Sequence, residues 1–226
     1  MGAPFWRLRE AYGVMRVVRN AGIATFLFVG TAWAAPATVA AFGDSLIQGY
    51  GLAPDHGFVP QLQQWLDMRG ANAELINAGV SGDTTAGGLS RIAWTLSDDV
   101  DALIVALGAN DMLRGIDPVV ARANLDGILL EAGRQDVPVL LIGMDALPNY
   151  GPEYEHAFNA IYPDLAAKHG VLYHPDFLGA LAALGDRAAA LEAYMQPDGM
   201  HPNRDGVKII VADIGPSVLD LLGEID

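Results

Sequence analysis

Short apolar runs alternate along this chain with longer stretches of helical spacing, and glycine-bearing polar segments separate the two. The apolar runs predict five strands, over residues 39–42, 73–78, 102–107, 137–144 and 171–174, the third being the clearest. Between them the periodicity turns helical. Phe58, Val59, Leu62, Trp65 and Leu66 put one apolar stripe on a helix over residues 57–68, with Pro60 in its first turn, where a missing N–H is harmless. A second helix runs to about residue 96 from an Asp or Thr cap, and Asp117-Pro118 opens a third, to residue 133, as an N-cap followed by proline at the first helical position. Residues 152–168 form a fourth. An alanine-rich helical stretch, a loop over residues 196–203 and a last helix carrying Val207, Ile209, Ile210, Ile214 and Leu219 complete the chain; Pro216 is expected to kink or interrupt that helix. Strands alternating with helices at this spacing make βαβ units with right-handed crossovers, hence an α/β fold with a five-stranded parallel sheet covered on both faces. No linker splits off a second domain.

Composition narrows the function. The chain has 226 residues, 52% of them hydrophobic and 18% charged, which suits one globular domain. A formal charge of -14 with 13 scattered basic residues argues against a nucleic-acid partner, because phosphates are neutralised by clustered Lys and Arg. With no cysteine, disulfides, thiolate zinc sites and cysteine nucleophiles are excluded.

At the N-terminus, Arg7, Arg9, Arg16 and Arg19 precede an uncharged apolar run that ends in Ala32-Trp33-Ala34, a small-x-small cleavage pattern. Residues 1–34 therefore read as a secretory signal and residues 35–226 as the mature domain, periplasmic or secreted. Met15 is an alternative start to Met1, and an uncleaved membrane anchor is the alternative to cleavage, since no charge occurs between Arg19 and Asp44. Cleavage is favoured because the end of the run is needed as the first strand. It removes four Arg and one Glu and takes the formal charge to -17.

Candidate chemistry gathers where predicted strands end. Ser45 follows directly on the first strand, at the edge of an open α/β sheet where ligands bind. A serine hydroxyl is nearly inert without a base, an orienting acid and donors for an oxyanion. Among five histidines only His201 has a carboxylate in turn-like company: Asp198, three residues earlier across Gly199, can reach its Nδ1–H and leave Nε2 for Ser45. His56 is the one rival base. Oxyanion donors are sought in loops after neighbouring strands: the Ser45 N–H, the Gly82 N–H and the Asn110 side-chain amide. Gly82 is preferred to Gly79 because it lies nearer the next helix, where N–H groups are unpaired and the dipole favours anions.

Gly43-Asp44-Ser45-Leu46, Gly82, Gly108-Ala109-Asn110-Asp111 and Asp198-Gly199-Met200-His201-Pro202 together resemble the four sequence blocks of the SGNH hydrolases, the GDSL esterases and lipases. The resemblance is closest to the bacterial periplasmic arylesterases and multifunctional acyl-CoA thioesterase/lysophospholipases, whose pattern extends to Leu147-Pro148-Asn149-Tyr150-Gly151 and Ala160-Ile161-Tyr162-Pro163. It implies a flavodoxin-like three-layer α/β/α sandwich. It also implies Ser45 as nucleophile, His201 as general base and then acid, Asp198 as its orienter, and Ser45, Gly82 and Asn110 as the oxyanion hole. Asp44 and Asp111 match block positions as well and read as loop-ordering carboxylates. The G-x-S-x-G elbow of the α/β-hydrolases is absent around Ser45.

The expected reaction is acyl transfer from a small ester or thioester to water, with short to medium acyl esters first and lysophospholipids further out. This chemistry requires no metal or cofactor. Leu46, Met112, Leu147, Pro148 and Tyr150, at the strand ends, are candidates to line an apolar acyl groove, and equally to roof the core. Two other readings stand beside this one: a carbohydrate O-acetyl esterase of the same fold, and a non-catalytic flavodoxin-like binding module. A monomer is expected.

Overall fold

The computed structural model describes residues 35–225 apart from residue 98; the signal assigned to residues 1–34 lies outside them. Strands β1 (Ala37–Gly43), β2 (Ala73–Gly79), β3 (Ala102–Ala106), β4 (Val139–Ile142) and β5 (Leu172–His174) form one parallel sheet in the order β2-β1-β3-β4-β5. The helices are α1 (Ser45–Gln48), α2 (Phe58–Asp67), α3 (Thr85–Thr95), α4 (Ala109–Leu113), α5 (Pro118–Arg134), α6 (Pro152–Asn159), α7 (Ile161–His169), α8 (Gly179–Ala182), α9 (Arg187–Tyr194) and α10 (Arg204–Leu222). Packing divides them between the two faces. Helices α3, α5 and α7 associate on one side, and α2 with α10 on the other, giving the expected three-layer sandwich.

Every residue of β3 and β4 is buried, as a strand covered on both faces requires, and this is why they read as unbroken apolar runs. β2 is an edge strand in which only Ala73 is buried. Its backbone is blunted by Gln63 of α2, whose side chain accepts the Leu75 N–H at 2.8 Å and donates to the Ala73 carbonyl at 2.9 Å, much as a neighbouring strand would. Where α10 crosses α2, a Cβ at Gly215 would lie 2.8 Å from the Trp65 ring, so glycine permits the approach.

Two helices differ from expectation, each at a proline. The helix expected over residues 152–168 is two helices, α6 and α7, meeting at Ala160; Pro163 stands in the first turn of α7, where it has no helical N–H to lose. Conversely α10 runs unbroken through Pro216. Val207, Ile210, Ile214, Val218 and Leu221 are buried on both sides of the proline, and that continuous seam holds the helix together across one missing hydrogen bond. No helix among the described residues is long and apolar enough to cross a membrane.

Candidate active site

In the strand order 2-1-3-4-5 the chain leaves β1 toward one edge and returns to β3 on the other side, so a crevice opens between the carboxyl ends of β1 and β3. Ser45 follows β1 and Asn110 follows β3. Neither lies in a simple loop: Ser45 is the first residue of α1, capped by Asp44, and Asn110 belongs to α4. The first turn of a helix has N–H groups without intrahelical partners, so the Ser45 N–H is a donor at the mouth of the crevice.

His201 arrives from the far end of the chain. Its Nε2 lies 2.9 Å from Ser45 Oγ, and its Nδ1 lies 2.7 Å from Asp198 Oδ2. A carboxylate only accepts, so Nδ1 carries the proton and Nε2 is left to accept the serine O–H. The other Asp198 oxygen accepts the backbone N–H of Met200 at 2.9 Å and of His201 at 3.0 Å. The His201 N–H, its imidazole and the Met200 N–H hold the Asp198 carboxyl down to about 2, so it stays ionised through the whole working range. The loop is itself held. Asn203 caps α10 through the N–H groups of Asp205 and Gly206 while its amide donates to the carbonyls of Ala193 and Met195.

The second expected donor loop is tied to the first. Ser81 Oγ donates to Gln48 Oε1 at 2.9 Å, and Arg91 donates to Asp83, to the Ala78 carbonyl and to the Gly43 carbonyl, bracing the ends of β1 and β2. Gly82 has φ of 79°, a conformation that favours glycine, and its carbonyl accepts from Arg114 at 2.8 Å. Gly79 does a different job: a Cβ there would overlap the backbone of Gln48 in α1. Buried Asp111 accepts both the N–H and the hydroxyl of Thr85 at the start of α3, at 2.8 and 2.6 Å, joining α4 to the Gly82 loop. Asn110 Nδ2 donates to Asp44 Oδ2 at 3.3 Å, beside the serine. Burial pushes the Asp44 carboxyl up to about 6, against the Leu46 N–H and the Asn110 amide that favour its charge.

Of the expected lining residues, only Leu46 borders the shallow pocket beside Ser45 and His201. Met112 is buried and gives its sulfur to the Leu147 N–H; Leu147 and Tyr150 are exposed by 40% and 43%, and Tyr150 donates to the Leu113 carbonyl. Leu147 and Tyr150 thus rest against α4, the helix that carries Asn110. Tyr50 and Leu52 border the pocket and were not singled out from sequence. The Tyr50 ring lies 4.9 Å from the His201 ring, and Gln196 fastens the two loops by donating to the Tyr50 and Pro202 carbonyls. A glycine-flanked aromatic just after the nucleophile is the signal that could have found Tyr50. His56 faces Asp55 instead of Ser45. His174, set between Ser217 and Asp213 of α10, repeats the three residue types at a sheet edge without a helix N-terminus beside its serine.

Comparison with known proteins points the same way. The model of the GDSL-like lipase/acylhydrolase family matches residues 41–209. Esterase TesA of Pseudomonas aeruginosa is 35% identical over 193 residues, covering 85% of this chain and 92% of that protein. Thioesterase 1/protease 1/lysophospholipase L1 of Escherichia coli K12 is 34% identical over 178 residues, 78% of this chain and 81% of that protein. Among solved structures, AlinE4, an SGNH-hydrolase family esterase, is 44% identical with a TM-score of 0.67, covering 82% of this chain and 96% of that one.

Proposed function

The chain belongs to the GDSL-like lipase/acylhydrolase family, the SGNH hydrolases, and is a serine-dependent carboxylic ester hydrolase; from that premise we propose how its own residues divide the work. Ser45 is the nucleophile, His201 the general base and then acid, and Asp198 the residue that orients it. The Ser45 N–H, the Gly82 N–H and Asn110 Nδ2 form the oxyanion hole. The observation that carries this reading is the unbroken chain Ser45 Oγ, His201 Nε2, His201 Nδ1, Asp198 Oδ2, with links of 2.9 and 2.7 Å, at the switch point of the sheet.

His201 takes the Ser45 proton as Oγ attacks the carbonyl carbon, and the imidazolium that forms is stabilised by Asp198. The three donors hold the oxyanion; its collapse breaks the bond to the alcohol, phenol or thiol, which leaves with the proton from His201. Water then attacks the acyl-enzyme as His201 takes its proton, and collapse of the second oxyanion breaks the acyl–Oγ bond, releasing the acid and returning the proton to Ser45. Short to medium acyl esters, aryl or alkyl, are the substrates we assign, with thioesters and lysophospholipids second. Leu46, Tyr50 and Leu52 present apolar surface beside Ser45 and His201, which supports an apolar acyl group. The names of the relatives include esterase, thioesterase and lysophospholipase, which supports that range.

We further assign residues 1–34 as an export signal, so that a monomeric enzyme acts in the periplasm or outside the cell. The Ala32-Trp33-Ala34 pattern supports it, and N-terminal sequencing of the exported protein should begin at Ala35.

The test of the triad is labelling by an organophosphonate. One label per chain is expected on Ser45, abolished by His201→Ala; a label elsewhere, or one that survives the substitution, overturns the assignment. A panel of p-nitrophenyl esters of increasing acyl length, with an acyl-CoA, a lysophospholipid and an acetylated sugar alongside, fixes the substrate. Activity confined to the acetylated sugar would select the carbohydrate esterase reading instead.

A further inference from the structure

We propose that Asp44 is a positioning residue for the reaction, its carboxylate fixing which way round the Asn110 amide stands in the oxyanion hole. The inference rests on Asn110 being a hole donor. Asn110 Nδ2 lies 3.3 Å from Asp44 Oδ2, while Asp44 Oδ1 accepts the Leu46 N–H at 3.0 Å. An asparagine amide has a donating end and an accepting end of nearly the same shape, and nothing in its own chemistry decides between the two orientations. A carboxylate beside it does. Because a carboxylate only accepts, it favours Nδ2 as its neighbour and repels Oδ1. With one Nδ2 hydrogen held by Asp44, the second hydrogen of the same group is left for the oxyanion. Turned over, Oδ1 would face both the carboxylate and the developing negative charge.

Three features set this role apart from ordinary capping. Asp44 is fully buried, so no bulk water competes for Oδ2. Capping Leu46 needs only an uncharged acceptor such as Ser or Asn, whereas an ionised carboxylate in this position is costly to bury. A negative charge beside a forming oxyanion opposes it, and any attraction of that charge for the His201 imidazolium would persist in an Asn110→Ala background, so dependence on Asn110 is what singles out orientation. The ionisable groups acting on Asp44 are His201, which favours its charge, and Asp83, which opposes it; Arg91 is bonded to Asp83. Asp111, by contrast, has its two oxygens occupied by Thr85, so it organises the backbone of the hole and not the amide.

The test is a double-mutant cycle between Asp44→Asn and Asn110→Ala, read as kcat and KM for p-nitrophenyl butyrate, with active sites counted by phosphonate titration and folding checked by thermal melting. An asparagine at position 44 that keeps the Leu46 cap through its Oδ1 puts its own Nδ2 beside Asn110 and no longer favours the donating end of that amide there. In the native background we expect kcat to fall about tenfold with KM nearly unchanged, and in the Asn110→Ala background we expect the same substitution to change kcat less than about twofold. Asp44→Ser, which retains a capping oxygen, serves as the second variant where the asparagine folds poorly. Effects that multiply in the double variant, or a native kcat in both Asp44 variants, overturn the inference while leaving the hole intact. An Asn110→Ala enzyme with nearly native kcat overturns the hole assignment and this inference with it.

Discussion

Burial holds the Asp44 carboxyl at about 6, above its ordinary 3.8, and this has a consequence for stability as well as for catalysis. A carboxyl that binds its proton more tightly when folded stabilises the protein fully below its unfolded value, and that contribution is lost as pH rises through the folded one. Two pKa units correspond to roughly 3 kcal/mol. Asp44→Asn, which carries no charge at any pH, should therefore melt higher than the native protein at pH 8, and the advantage should disappear by pH 4. Comparing the pair cancels Asp176, raised like Asp44, and Asp126 and Asp198, which are lowered and act with the opposite sign. A difference in melting temperature independent of pH would contradict the buried charge. At this scale the sequence was legible where chemistry restricts the residue type: a serine after a strand, and a histidine three residues from an aspartate. It was not legible where the role is packing or a fastening, as with Tyr50 against His201 and Gln196 between their loops, because aromatic and amide side chains do many jobs and only neighbours assign one.

Glycine substitutions separate the demands of the elements. At Gly79 a Cβ would overlap the Gln48 backbone, so Gly79→Ala must push α1, and Ser45 with it, away from β2. We expect a loss of about 1–3 kcal/mol together with a clear fall in kcat. Gly133, inside α5, has nothing within 4 Å of an added Cβ, so Gly133→Ala should stabilise by up to about 1 kcal/mol and leave kcat unchanged. Denaturant melts and steady-state assays of both variants check the contrast, and equal behaviour of the two would contradict the packing at Gly79. The β-strands were readable because burial on both faces makes β3 and β4 apolar throughout. Helix ends and breaks were less so. Pro163 and Pro216 offer the same local signal, yet one stands in the first turn of α7 and the other inside the continuous α10.

Across the whole molecule the dominant property is charge. With residues 1–34 removed the formal charge is -17, which repels an anionic substrate at long range, and salt screens that repulsion over about 8 Å at physiological strength. Raising the salt from low to physiological concentration should increase kcat/KM for an acyl-CoA severalfold while barely affecting a neutral p-nitrophenyl ester. A ratio of the two that does not move with salt would show that the local cations, Arg114 among them, outweigh the net charge at the site. The apolar alternation by itself determined the layer architecture, since periodicity states which positions must leave water, and the four blocks around Ser45, Gly82, Asn110 and His201 pointed to the class of chemistry through their resemblance to a known family. Only the tertiary structure decided the rest. That His201 meets Ser45, that Asp44 meets Asn110, and that Leu46 and Tyr50, and not Leu147, border the pocket all depend on how segments far apart in sequence come to rest against one another. A hydrogen bond constrains distance and direction in space, and residue spacing along a chain encodes neither across a fold.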